Sequence, residues 1–132
     1  FLFDLAINVE ISRNHCFQFD LTAPLILGRT VVLDALQIAV YLGFKEIYFI
    51  GVDLDFTPQE RHFYTSNATE QLPQHITWAI ENTPKMLANF KTANELLQPL
   101  GIHLYNAGIG GQLDALPRVN FTSLFQSRSQ IK

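Results

Sequence analysis

Apolar residues occupy almost the whole circumference of the segment 30–42, a pattern that predicts a buried helix. Thr30 can accept a backbone N–H as the N-cap, and Asp34 lies early enough to favour the positive end of the helix dipole. Gly43 can adopt the left-handed conformation that ends a helix. The polar exceptions recur every three or four residues and form one narrow stripe, made of Thr30, Asp34, Gln37 and Tyr41.

Short apolar runs predict the strands. A continuous run at 46–52 is typical of a central, parallel strand covered on both faces. A shorter run at 102–105 predicts another strand, and the glycines that follow it up to residue 111 predict a turn. Weaker patterns at 1–9 and 17–19 predict two short strands near the start of the chain.

A second helix is expected between the two stronger strands. Thr83 is suited to be its cap and Pro84 its first residue, and the helix should end before Pro99. A separate short helix at 74–80 is possible. The polar stretch that begins after Phe56 and extends to Pro73 exceeds the usual connection, and loops of that length are functional lids or disordered segments in most proteins.

The order strand, helix, strand, helix, strand predicts right-handed crossovers and a mostly parallel sheet with helices on its faces. A chain of 132 residues, 48% of them apolar, can bury one core. We therefore expect a single domain at 1–126 and a loose tail at 127–132. Because the chain begins at Phe1 without a methionine, we expect it to be the later part of a larger domain.

Charge and cysteine content exclude several function classes. The net charge is −3 and the basic residues are scattered singly, so nucleic acid is not an expected partner. The single cysteine, Cys16, has no partner for an internal disulfide, which fits a reducing compartment, and we expect a cytoplasmic protein. No apolar run reaches the roughly 18 residues that span a bilayer, although peripheral membrane association stays open.

Asp53 and Asp55 stand at the carboxyl end of the predicted central strand, where open α/β sheets place their ligand crevice. Two carboxylates at this spacing could hold a divalent cation that bridges phosphates. Alternatively, Asp53 caps a turn and Asp55 is solvated. Gly51, which precedes them, belongs to the same candidate site.

The start of the first helix is a second candidate site. Gly28, Arg29 and Thr30 lead into a helix N-terminus, which favours anions, and Asp34 and Gln37 continue the polar edge that could bind a base or sugar. The alternative is an ordinary N-cap whose polar neighbours bind adjacent loops.

Three residues of the long loop complete the candidates. Arg61, His62 and Tyr64 could bring a cation, an imidazole that titrates near neutrality and a phenol to a phosphate or hydroxyl, and His62 with Asp53 is the candidate catalytic pair. The alternative is that these loop residues are merely exposed. The glycines at 108–111 do not fit the dinucleotide fingerprint, because Leu113 stands where glycine or alanine is needed, and a turn is favoured.

Across residues 17–125 the chain resembles bacterial proteins of the 6-hydroxymethylpterin diphosphokinase MptE-like family. The resemblance lies in the segments 30–32, 35–39, 41–48, 50–53, 62–64, 102–107, 117–119 and 123–125. The part from helix to strand is also similar to bacterial CMP-sialic-acid-dependent sialyltransferases of surface-polysaccharide loci and to flagellin glycosyltransferase-like proteins.

The resemblance implies a Rossmann-like, three-layer α/β/α fold whose nucleotide pocket is shared with an earlier glycine-containing loop. It implies that Thr30 lies near the nucleotide sugar, as a small hydroxyl residue does in the sialyltransferases, and that Tyr64 is the first phenol available to the phosphate. Those enzymes use no metal, and Thr83, Pro84 and Lys85 stand where their catalytic histidine is expected.

Three functions follow as expectations. The first is a nucleotide-sugar-binding, sialyltransferase-like glycosyltransferase of bacterial surface-glycan biosynthesis, with a nucleotide or CMP-sugar as donor, a glycan as acceptor and no firm cofactor. The second is a diphosphokinase that uses ATP and magnesium held by Asp53 and Asp55. The third is a non-catalytic binding or scaffold module. A homo-oligomer is possible in each case.

Overall fold

The structure is a computed structural model that describes residues 17–56 and 74–126. These residues form a mixed α/β arrangement with a small parallel sheet. In chain order the elements are α1 (Val31–Tyr41), β1 (Glu46–Phe49), α2 (Gln74–Leu97), a 3₁₀ turn (Gln98–Leu100), β2 (His103–Asn106) and α3 (Ser123–Gln126).

The two strands are parallel and in register over four residues, from Glu46 opposite His103 to Phe49 opposite Asn106. The Ala107 N–H donates to the Phe49 carbonyl over 2.8 Å and extends the pairing beyond β2. A single parallel bridge joins Asn106 to Arg118, and this bridge places residues 117–119 beside the end of β2. Because the strands are parallel, both carboxyl ends lie at one edge of the sheet.

Helices α1 and α2 together supply nearly half of the buried apolar side chains of the described core. Phe90 of α2 is fully buried, and its ring meets the ring of Phe49 edge-on with 5.5 Å between centroids. One face of α2 is buried through Phe90, Ala93 and Leu97. No helix among residues 17–56 and 74–126 is long and apolar enough to cross a membrane.

The prediction for α1 is confirmed at both ends. Thr30 is the N-cap, and its hydroxyl accepts the Val32 N–H over 3.4 Å. The helix ends with Leu42 as C-cap, and Gly43 follows with φ +89°.

The predicted strand at 17–19 is wrong. Phe17 and Phe19 are buried, but their segment pairs with no strand in the described part of the chain. The side chain of Gln37 binds this backbone in place of a neighbouring strand. Its Oε1 accepts the Gln18 N–H over 2.9 Å and the Ile26 N–H over 3.2 Å. Its Nε2 donates to the Ile26 carbonyl over 2.9 Å. Gln37, which is 1% exposed, is therefore a buried structural residue.

The predicted break between two helices at Thr83 is also wrong, because α2 is continuous through Pro84. Thr83 is no N-cap, since its hydroxyl donates to the Ala79 carbonyl one turn earlier over 2.8 Å. Asn82 does the same with the Trp78 carbonyl over 2.7 Å. These bonds link two polar side chains to the turn just before Pro84, and Pro84 itself lies on the exposed side.

β1 is shorter than predicted, and one of its faces is less buried than predicted. It ends at Phe49, and Gly51 at φ +66° turns the chain before the predicted end at residue 52. The expectation of a strand covered on both faces is wrong, because Tyr48 is 40% exposed and stacks on Tyr105 with 4.9 Å between ring centroids. The predictions for 1–9, for the loop 57–73 and for the tail 127–132 lie outside the described residues.

Replacing Gln37 with leucine tests its structural role. Gln37→Leu removes the hydrogen bonds of its side chain to two backbone N–H groups and two carbonyls. Each group left unpaired costs about 1–3 kcal/mol where it stays shielded from water. We expect urea denaturation to show a free energy of unfolding lowered by about 2–4 kcal/mol.

The matched control is Gln98→Leu, an identical change at an exposed position. It should stay within about 0.5 kcal/mol of the unsubstituted protein. Equal effects of the two variants would contradict the role assigned to Gln37.

Candidate functional site

The carboxyl ends of β1 and β2 open on a cleft of about 570 Å³. This volume lies in the range of small-molecule sites, and the carboxyl edge of a parallel sheet is where such sites form. Three segments of the described chain line it: the start of α1, the turn after β1 and a glycine loop after β2. The lining residues are Thr30, Val32, Gly51, Val52, Asp53, Leu54, Asp55, Phe56, Gly110 and Gly111.

The start of α1 borders the cleft through Thr30 and Val32. The Leu33 N–H is bound to the Thr30 carbonyl over 3.0 Å, and the Val32 N–H to the Thr30 hydroxyl. The Val31 N–H makes no hydrogen bond within the described residues. This end of the helix therefore presents the positive pole of its dipole and a free N–H, the combination that favours an anion.

The turn after β1 holds an unusual backbone conformation. Leu54 is buried and has φ +50°, in the left-handed region that costs a side-chain-bearing residue about 1–2 kcal/mol. Asp53 and Asp55 flank Leu54, and both line the cleft. Backbone strain of this kind clusters at ligand sites, and here it accompanies two carboxylates in one cavity.

The two residues before the N-cap of α1, Gly28 and Arg29, bind α2 and are not among the residues that line the cleft. Arg29 has φ +67°, and its Nη1 donates to Asn82 Oδ1 over 2.6 Å. Asn89 Nδ2 donates to the Gly28 carbonyl over 3.2 Å. A Cβ on Gly28 would come within 2.6 Å of Leu33 Cβ, so glycine is needed there for packing. These contacts fix where α1 begins.

Asn106 fixes the glycine loop, residues 108–111, to the end of β2. Its side chain accepts the Gly108 N–H over 2.8 Å and donates to the Leu113 carbonyl over 3.0 Å. Its backbone N–H and carbonyl bind Pro117 and Val119, each over 2.9 Å. The buried amide thus sets the path of the loop and of the segment that returns beside it.

Arg118 and Asp53 fix the glycine loop from two further directions. The Arg118 guanidinium donates to the Gly110 and Gly111 carbonyls, each over 3.0 Å, and to Asp114 Oδ1 over 2.7 Å. The Gln112 N–H donates to the Asp53 carbonyl over 2.7 Å. The loop is therefore attached directly to the turn that carries the two cleft carboxylates.

The structure brings together some of the residues that the sequence singled out. Thr30, Gly51, Asp53 and Asp55 line one cleft, as expected of a shared site. Other candidates lie elsewhere: Gly28 and Arg29 contact α2, and Asp34 accepts the Gly28 N–H over 3.4 Å without lining the cleft. The remaining candidates, which are Arg61, His62 and Tyr64, lie outside the described residues.

Sequence reasoning missed the part played by the glycine loop. Gly110 and Gly111 line the cleft, while Asn106 and Arg118 hold the loop in place. The signal was an asparagine at the end of a strand, two residues before a glycine-rich run. The run does not fit a dinucleotide fingerprint, but two of its glycines line the cleft all the same.

The described residues contain no cluster of three or more histidine, cysteine, aspartate or glutamate side chains that could hold a metal. Of the acidic residues that the structure describes, Asp53 and Asp55 line the cleft.

Comparison with known proteins gives no assignment: no family model matches the chain, and neither a curated protein nor a solved structure matches it.

The two adjacent glycines of the loop offer a matched test. A Cβ on Gly111 would overlap the backbone of Asp53, and its φ of +82° is unfavourable for alanine. We expect Gly111→Ala to lower the free energy of unfolding by about 2 kcal/mol or more, measured by urea denaturation.

Gly110→Ala is the control, because a Cβ at Gly110 meets no atom within 4 Å. It should leave stability within about 0.5 kcal/mol. If Gly111→Ala proves as mild as Gly110→Ala, the close approach of the loop to Asp53 is wrong.

Proposed function

We propose that the cleft binds a nucleotide sugar and that the chain is a glycosyltransferase-type domain, sialyltransferase-like, of bacterial surface-glycan biosynthesis. The observation that carries this proposal is the meeting of three segments at one edge of a parallel sheet. The start of a helix, a strained turn with two acidic residues and a glycine loop all border the same cavity. A Rossmann-like, three-layer fold is part of the proposal, with β1 and β2 as two strands of its sheet.

The charges in the cleft suggest how a nucleotide would lie. Phosphate oxygens would accept from the donors at the start of α1, where Thr30 and the Val31 N–H stand at the positive end of the dipole. The Asp53 carboxylate repels phosphate but accepts hydrogen bonds from hydroxyl groups, so it would bind the ribose. Gly51 lets the backbone approach the ligand without a side chain in the way.

The remaining roles rest on sequence alone. Arg61 and Tyr64 would contact the phosphate from the segment that follows Phe56, and His62 would serve as the base that activates the acceptor hydroxyl. The acceptor is proposed to be a glycan, and the compartment the cytoplasm.

One observation favours a second candidate, the diphosphokinase. Asp53 and Asp55 line the same cleft, and carboxylate oxygens are the ligands that magnesium prefers when it bridges phosphates. In that reaction the nucleotide would be ATP and its binding would depend on magnesium. If no nucleotide binds, the candidate that remains is a non-catalytic binding or scaffold module.

Thermal-shift measurements with CMP, UDP, GDP and ATP, each with and without magnesium, test the proposal. A nucleotide present at a hundredfold over its dissociation constant stabilises the folded state by about 2.7 kcal/mol. We expect a cytidine nucleotide to raise the melting temperature without magnesium. A shift seen only with ATP and magnesium would favour the kinase, and no shift with any nucleotide would contradict both.

Asp53→Asn tests the ribose contact, because it removes the charge and keeps the side chain's size. We expect the nucleotide-induced shift to be lost while the melting temperature without ligand stays close to that of the unsubstituted protein. Glu95→Gln is the control: Glu95 is exposed on α2, lies outside the cleft lining given by the described residues, and forms an ion pair with Lys91 over 3.9 Å. An unchanged shift in Asp53→Asn would overturn the assignment of that residue.

A further inference from the structure

The guanidinium of Arg118 forms hydrogen bonds with the backbone carbonyl groups of the glycine loop. It donates to the Gly110 and Gly111 carbonyls over 3.0 Å each and reaches the Gly108 carbonyl at 3.5 Å. The same side chain binds Asp114 through Nε and Nη2, over 2.9 and 2.7 Å. Only arginine combines this many donors in one rigid fork.

These contacts fix the direction of the loop's N–H groups. In a trans peptide the carbonyl and the following N–H point in opposite directions, and the described peptide bonds contain no cis form. Carbonyls turned to Arg118 therefore direct the N–H groups of Ile109, Gly111 and Gln112 away from it. The Gln112 N–H shows this arrangement, because it donates to the Asp53 carbonyl across the loop.

Two of these N–H groups are left without an acceptor. The N–H groups of Ile109 and Gly111 make no hydrogen bond within the described residues. Gly111 lines the cleft beside Asp53, and Ile109 lies in the same loop. Unbonded N–H groups of a glycine-containing loop can form the kind of concavity that binds phosphate.

We propose that the glycine loop is a phosphate-binding site and that Arg118 is its positioning residue, which holds the Ile109 and Gly111 N–H groups toward the phosphate groups of the bound nucleotide. This inference rests on the proposed function for the identity of the ligand. It adds a second set of donors to those at the start of α1. It also gives Arg118 a role through the backbone, without contact between its side chain and the ligand.

Amide NMR of the ¹⁵N-labelled full chain tests the site without any substitution. The protein is titrated with CMP, UDP, GDP and ATP, with the matching nucleosides and with inorganic pyrophosphate, each with and without magnesium because Asp53 repels phosphate. We expect nucleotides and pyrophosphate to move the Ile109 and Gly111 amide proton signals downfield, and nucleosides to leave these two signals in place.

The outcomes separate the two proposals. Nucleotide binding without a change at Ile109 and Gly111 overturns the loop site alone. A response to pyrophosphate without binding of any nucleotide supports the loop site and overturns the proposed function. No response to any phosphate compound overturns both.

Variants of Arg118 test the positioning role. Arg118→Gln should weaken nucleotide binding about tenfold, the worth of roughly one or two hydrogen bonds, and leave nucleoside binding unchanged. Arg118→Lys should weaken it similarly, because an ammonium group cannot bind three carbonyls in one plane. Asp114→Asn is the control, since it removes the charge beside Arg118 and leaves the contacts to the loop.

Isothermal titration calorimetry with the tightest nucleotide and its nucleoside gives the affinities. A loss that is equal for nucleotide and nucleoside would mean that Arg118 is merely structural. Full nucleotide affinity in Arg118→Lys would contradict the need for the arginine fork. If neither variant folds, the amide titration of the unsubstituted protein decides.

Discussion

The cleft depends on one buried amide, the side chain of Asn106, at the carboxyl end of β2. Asn106 is 1% exposed. Its side-chain amide and its backbone amide each donate one hydrogen bond, and its side-chain oxygen and its backbone carbonyl each accept one. A buried amide that loses a partner leaves an unsatisfied polar group, which costs more than the bond itself contributes. These hydrogen bonds of Asn106 therefore fix the backbone conformation of the glycine loop between the end of β2 and the contact of Gln112 with Asp53.

Side chains that bind backbone groups recur throughout the described structure. β1 and β2 are only four residues long, so strand pairing alone orders little of the chain. The Gln37 side chain forms hydrogen bonds with the backbone of Gln18 and Ile26, and the Arg118 side chain with the carbonyls of the glycine loop. Each of these side chains substitutes for ladder hydrogen bonds that short strands do not supply. The result is a cleft whose walls are irregular segments with fixed positions.

Local signals in the sequence predicted what local physics determines. The N-cap at Thr30 and the turn at Gly43 gave the limits of α1, and the apolar run after Lys45 gave the position of β1. The placement of Asp53 at a crevice also follows from local order, because it stands just beyond a strand that pairs in parallel.

The errors arose where distant contacts decide. Whether Phe17 and Phe19 pair with a strand depends on Gln37, some 20 residues later, and a strand pattern cannot show that bond. Pro84 reads as a helix start in isolation, but α2 passes through it because the flanking turns pack on the core. The role of Arg118 needs the loop's three-dimensional path, since its partners lie seven to ten residues earlier in the chain.

The central claim is that the edge of the sheet between α1 and the glycine loop binds a nucleotide. A crystal structure of the full chain with the nucleotide that stabilises it most tests this claim most directly. The account predicts phosphate density between the Val31 N–H and the loop at 108–111, with the ribose next to Asp53. Nucleotide density at any other surface, with this cleft filled only by solvent, would contradict it.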